Sequence, residues 1–133
     1  MITESTKKAL TFRGKTIEDL KALDVREFAK YLKSRQRRSV LRQFQKIEDF
    51  VNRAKKKAEK NKLIRTHERA LIIVPQMVGM KISVYSGKEF IPFEVTIQML
   101  GHRFGEFSAT RTKVKHSTAG IGATKGSKAK AKK

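Results

Sequence analysis

The 133-residue chain is predicted to fold as a small α+β domain, with N-terminal helices leading into a small three-stranded, mainly antiparallel sheet and a disordered basic C-terminal tail. Three observations carry this expectation. The first half combines helix-start signals with one long apolar stripe at helical spacing. Residues 63–107 change to short branched and aromatic runs punctuated by Gly and Pro. After Phe107 the apolar residues thin out and cations take over.

Residues 1–15 show no sustained period and read as an arm, and 16–62 form a helical segment. Thr16-Ile17-Glu18-Asp19 and Asp24-Val25-Arg26-Glu27 each place a side-chain oxygen first and a carboxylate three residues on, the pattern of a capping box. They open short segments spaced as Ile17/Leu20/Leu23 and Val25/Phe28/Ala29/Leu32. Val40, Phe44, Ile47 and Val51 then follow i, i+4, i+7, i+11, which predicts a helix from about 35 to 60. Leu41, Phe50 and Ala54 widen its apolar face, while Arg35, Arg38, Arg42, Arg53, Lys56 and Lys60 fall on the opposite side, where Asp49 is the only acid.

Within 63–107, the α+β core, Ala70-Leu71-Ile72-Ile73-Val74 closes on Pro75 and reads as a buried strand. Lys81 to Tyr85 alternates loosely, Ser86-Gly87 supplies a two-residue turn, and Lys88 to Val95 continues as a strand that Pro92 assigns to an edge. Thr96 to Leu100 reads as a short capped helix ending at Gly101. From Ser108 to Lys133, the tail, there are eight basic residues and no acid. So little apolar surface cannot offset the entropy of ordering, so the tail is expected to order only along a partner's phosphates.

Thirty-two Lys and Arg against twelve Asp and Glu leave a net charge of +20, a self-repulsion best explained by a polyanion that neutralises it. Nucleic acid leads. A membrane is second, but the apolar run Leu71 to Pro75 is too short to span one, and Met1 to Thr11 lacks a signal-peptide core. A soluble cytoplasmic protein without membrane partners is therefore expected. An ordinary solvated helix face would intersperse acids in i,i+4 pairs, which are mostly missing here. Phosphate contact is the better reading for Arg35, Arg38, Arg42, Arg53 and Lys56, joined by Arg37 in the same basic run.

Catalysis finds no footing. The absence of cysteine excludes disulfides and Cys-ligated zinc, no Gly-x-Ser-x-Gly setting occurs, and no Walker or dinucleotide fingerprint appears. His102 and Glu106 are four apart, yet Gly101 and Gly105 argue against a regular helix there, and two residues make a poor metal site. No catalytic residue, metal or cofactor is expected. Gly120-Ile121-Gly122-Ala123-Thr124 neither follows a strand nor opens a helix, so a phosphate-loop reading fails. Most of the eight Phe and two Tyr occupy core-compatible positions, so recognition should rest on phosphate, sugar and shape, not on a sheet stacking platform. Composition alone leaves a DNA-packaging basic protein as the alternative.

The segment 64–116 resembles a known family. Arg65-Thr66, Ile73-Val74-Pro75-Gln76-Met77-Val78-Gly79, Val84-Tyr85-Ser86-Gly87-Lys88, and above all Met99-Leu100-Gly101-His102-Arg103-Phe104-Gly105-Glu106-Phe107 with Thr110-Arg111 are similar to the S-nineteen family of small-subunit ribosomal proteins, called S-fifteen in eukaryotes. Thr11-Phe12-Arg13-Gly14, Ser34-Arg35-Gln36-Arg37-Arg38 and Gly120 to Thr124 resemble its archaeal and eukaryotic branch, and the short chain with its Lys/Ala terminus an archaeal one. The resemblance implies a structural constituent of the small subunit that binds rRNA in the head beside the S-thirteen family protein. It also implies a C-terminal tail reaching toward the decoding region and A-site tRNA. By motif position it makes Arg65, Arg69, His102, Arg103 and Arg111 rRNA contacts, with Lys113, Lys115 and His116 leading into the tail. Gly79, Gly87, Gly101 and Gly105 would serve backbone geometry.

Overall fold

Local capping decides where the chain first turns helical. In the computed structural model, which describes residues 10–115 and Gly120, the Asp19 N–H donates to Thr16 Oγ1 at 3.3 Å and the Thr16 N–H donates back to Asp19 Oδ2 at 3.4 Å. This box opens α1 (Ile17–Ala22). The second expected box, with Asp24 N–H donating to Glu27 Oε2 at 3.4 Å, opens α2 (Val25–Ala29). Ahead of them, Phe12 and Lys15 exchange two backbone bonds of 3.0 Å around Arg13 and Gly14, whose φ values of 52° and 77° are those of a type I′ turn. The turn seats the Phe12 ring 5.9 Å from that of Phe28.

The long helix α3 runs Ser34–Glu59, with non-helical φ/ψ at Gln43. It buries Val40, Ile47, Phe50, Val51 and Ala54, close to the expected stripe. Leu41 departs from it and is 47% exposed. The buried arc centres on the Ile47/Phe50/Ala54 side, which leaves Leu41 on the far flank of Val40.

The sheet has three strands in the order β1 (Ile64–Thr66), β2 (Lys81–Tyr85), β3 (Phe90–Glu94). β2 and β3 are antiparallel, and Pro92 sits on the edge strand opposite Ser83, as its missing N–H requires. β1 runs parallel to β2, pairing Ile64 with Ile82 and Thr66 with Val84, so the sheet is mixed. The expected two-residue turn lies one residue later than read, at Gly87–Lys88. Ser86 N–H donates to Glu89 O at 2.9 Å, and the Ser86 hydroxyl, not its carbonyl, accepts from Glu89 N–H at 3.3 Å.

The strand expected at 70–74 is a correction. Leu71 to Val74 are buried, but they lie outside the sheet and face Gly101–Gly105, with Ile73 N–H donating to His102 O at 2.8 Å and Phe104 N–H donating to Leu71 O at 3.1 Å. A 3-10 turn over Phe104–Phe107 ends this pairing after a single bridge, Ile72 with Arg103, so no ladder develops. The helix expected at 96–100 is likewise one 3-10 turn, Ile97–Met99. Gly101 follows with φ of 81°, and a Cβ there would stand 2.9 Å from Leu32 Cδ2. Only glycine meets both conditions.

The core joins these parts. Phe28, Leu20, Val40, Ile47 and Val51 from the helices meet Ile72, Ile73, Met77, Ile82, Val84 and Phe104, all essentially inaccessible. Phe104 packs 5.3 Å from Phe50 of α3, which ties the end of the domain to the long helix. Residues 109–115 are exposed and in no regular element, and the remaining tail positions except Gly120 lie outside the described residues.

Candidate nucleic-acid interface

With Ile47 and Ala54 turned into the core, helical geometry sends Arg35, Arg38, Arg42, Arg53 and Lys56 to the outside of α3, and all five are exposed. The Gly101–Gly105 segment then brings Arg103 across to this face, where its Nη2 donates to Ser39 Oγ at 3.3 Å. The result is an open depression of about 520 Å³ lined by Ser34, Arg35, Arg38, Ser39, Arg42 and Arg103. Four guanidinium groups and two hydroxyls line it, with no carboxylate among them.

Among the described residues no Lys or Arg pairs with a carboxylate; the one contact between a basic and an acidic side chain is His102 Nδ1 with Glu106 Oε2, away from α3. Asp49, the one acid expected on the cationic face, accepts a bond from Gln45 Nε2 at 3.3 Å. Like charges gathered without counter-charges raise the local positive potential, which favours an anion carrying several charges. Arginine suits the task, because its planar fork meets phosphate oxygens in pairs.

Other expected contacts are placed differently. Arg37 caps α2, donating from Nε to Ala29 O at 3.2 Å and from Nη2 to Lys30 O at 2.8 Å. Arg69 is turned inward: Nη1 donates to Tyr85 O (2.6 Å) and Ser108 Oγ (3.1 Å), and Nη2 to Gly105 O (3.1 Å) and Ser108 O (2.5 Å). It thereby clips the end of β2 to the 105–108 turn. His102 is half exposed, held to Glu106 at 2.5 Å although no regular helix joins them. Arg53 and Arg65 line a second cleft between the last turns of α3 and β1. Arg111, Lys113 and Lys115 are exposed beyond Ser108, and His116 lies outside the described residues. Among the described residues no group of three His, Asp or Glu side chains is arranged to hold a metal, and no helix is long and apolar enough to cross a membrane.

Sequence reasoning missed Lys57, which also lines the second cleft, and a ring cluster of His67, Tyr85 and Phe90. The signal for half of it was legible, because a hairpin closing at Ser86–Glu89 makes Tyr85 and Phe90 cross-strand partners. Nothing in the sequence placed His67 beside them.

An α+β scaffold that presents a carboxylate-free arginine depression and continues into a basic segment has the surface of the nucleic-acid-associated class of proteins. Comparison with known proteins narrows the class. The family model for ribosomal protein S19 matches residues 33–116, and the chain belongs to the ribosomal protein S19 family. It is 43% identical over 118 residues to the small ribosomal subunit protein uS19 of Methanococcoides burtonii, covering 89% of this chain and 85% of the relative. Identity is 43% over 124 residues to uS19 of Saccharolobus solfataricus (90% and 89% covered) and 47% over 118 to uS19 of Methanocorpusculum labreanum (89% and 85% covered). These relatives are archaeal, in line with the branch that the sequence resembled, and the family is one of ribosomal constituents, not enzymes.

Proposed function

We propose that this ribosomal protein is a structural constituent of the small subunit, binding rRNA in the subunit head beside the S-thirteen family protein, with its basic tail reaching toward the decoding region and A-site tRNA. The observation that carries the reading is the Arg35/Arg38/Arg42/Arg103 depression, which holds four cations and no carboxylate in a chain of this family. Exposed Lys56, Arg65, Arg111, Lys113 and Lys115 add further cations for the same partner, and His116 follows them in sequence. Arg37 and Arg69 contribute through the fold, by holding α2 and the 105–108 turn in place. His102, held by Glu106, keeps about half of its side chain exposed to a partner.

Folded rRNA is favoured over duplex DNA because the depression is local and shaped, whereas a packaging protein gains from cations distributed along its length. Competition between small-subunit rRNA fragments and duplex DNA at fixed salt tests this, together with co-sedimentation with small subunits through a high-salt wash. Preference for rRNA and retention on the subunit are expected. Equal binding to both nucleic acids, or recovery only in the free fraction, would refute the reading.

A further inference from the structure

The geometry points to a nucleotide pocket at the second cleft: an unpaired nucleotide of the rRNA docks there, its base stacked on the ring cluster led by His67 and its phosphate held by Arg53 and Lys57. This rests on the rRNA-binding reading above and adds a base-level contact to one otherwise built on phosphates. His67 is exposed, and its ring centroid lies 4.7 Å from that of Tyr85 and 5.2 Å from that of Phe90, which are themselves 5.1 Å apart. The Arg65 guanidinium carbon sits 5.3 Å from the centre of the Phe90 ring. His67 is exposed and Tyr85 and Phe90 are half-buried, so this assembly reaches the surface, while the buried Phe50 lines the adjoining cleft.

The platform is held in place before any partner arrives. Tyr85 and Phe90 form the terminal rung of β2 and β3. His67 directly follows Thr66, which pairs with Val84 of β2. Thr66 Oγ1 accepts the Glu68 N–H at 3.0 Å, fixing the bend that aims His67 outward. Beside the rings a cleft of about 270 Å³ opens, with Arg53 and Lys57, one helical turn apart on α3, across from Arg65, His67 and Glu68. Three fixed cations against the one carboxylate of Glu68 leave it net positive by two (3 − 1). Rings flanked by cations are the combination that receives an unstacked base and its phosphate, and paired bases in a duplex cannot reach such a surface.

The test uses the full chain and small-subunit rRNA, with His67→Ala and His67→Phe compared with the parent. His67→Ala is expected to lower affinity by roughly 5- to 150-fold, the range for stacking one base on a ring. The salt dependence should be unchanged, because stacking releases no counterions. Probing of the rRNA 2′-hydroxyls by acylation should show one or two unpaired nucleotides that the parent protects and His67→Ala leaves reactive, and His67→Phe should restore both affinity and protection. An unchanged melting temperature for His67→Ala excludes misfolding as the cause. Parental affinity and footprint in His67→Ala would overturn the pocket while leaving rRNA binding intact, and a parent that fails to bind rRNA would overturn both. If His67→Ala instead weakened only association with another ribosomal protein, the surface would be a protein contact and the proposal wrong.

Discussion

Replacing Arg35, Arg38 and Arg42 with glutamine removes three cations from the outer face of α3 while keeping side chains of similar length. None of the three has a carboxylate partner among the described residues, and all are exposed, so folding stability should move by no more than about 0.5 kcal/mol. The effect on RNA binding is much larger. Each phosphate contact contributes about 0.7–0.9 to the slope of log K against log salt, so three contacts account for a slope change of about 2 to 2.7. Between 1 M and 0.1 M salt that corresponds to an affinity loss of about two orders of magnitude at the lower salt, near 3 kcal/mol, which fades as salt rises. Filter binding or fluorescence anisotropy over a salt series measures both quantities. A variant with the parental slope, or a loss independent of salt, would show that these arginines do not meet phosphates.

Other perturbations probe the scaffold that presents this face. Arg69→Met should cost about 2–4 kcal/mol in denaturant unfolding, because it strands the partly buried carbonyls of Tyr85, Gly105 and Ser108, and a parental midpoint would refute the clip. Phe104→Ala should cost about 3–5 kcal/mol, the usual loss for a fully buried ring, and a cost below about 1 kcal/mol would deny its anchoring role. Gly101→Ala should lower the melting temperature through its positive φ and the contact with Leu32, so an unchanged melting temperature would argue against that geometry. Deleting residues 117–133 should leave the core folded, because the last buried residue among those described is Ser108, and should flatten the salt dependence of RNA binding; an unchanged slope would count against tail–phosphate contact.

What the sequence disclosed follows from the range of the interactions involved. Capping at Thr16–Asp19 and Asp24–Glu27, and the stripe on α3, depend on residues three or four apart, so they were legible. Pro92 marked an edge because its missing N–H is a local fact. The Leu71–Val74 run was readable as buried but not as unpaired from the sheet, since that outcome depends on a segment some thirty residues on whose own 3-10 turn breaks the ladder. β1 was missed because three residues carry no period, and its parallel pairing is set by β2. The same distance limit governs the site. The helix wheel collected Arg35, Arg38 and Arg42, whereas the arrival of Arg103 beside Ser39, 64 residues away, and the inward turn of Arg69 are tertiary facts.

If the function proposed above holds, the arginine face of α3 meets rRNA phosphates in the assembled small subunit. A cryo-electron microscopy reconstruction of that subunit measures it directly. The guanidinium groups of Arg35, Arg38, Arg42 and Arg103 are expected within hydrogen-bonding distance, about 2.7–3.2 Å, of phosphate oxygens. A reconstruction with this face open to solvent, or covered by protein alone, would contradict it.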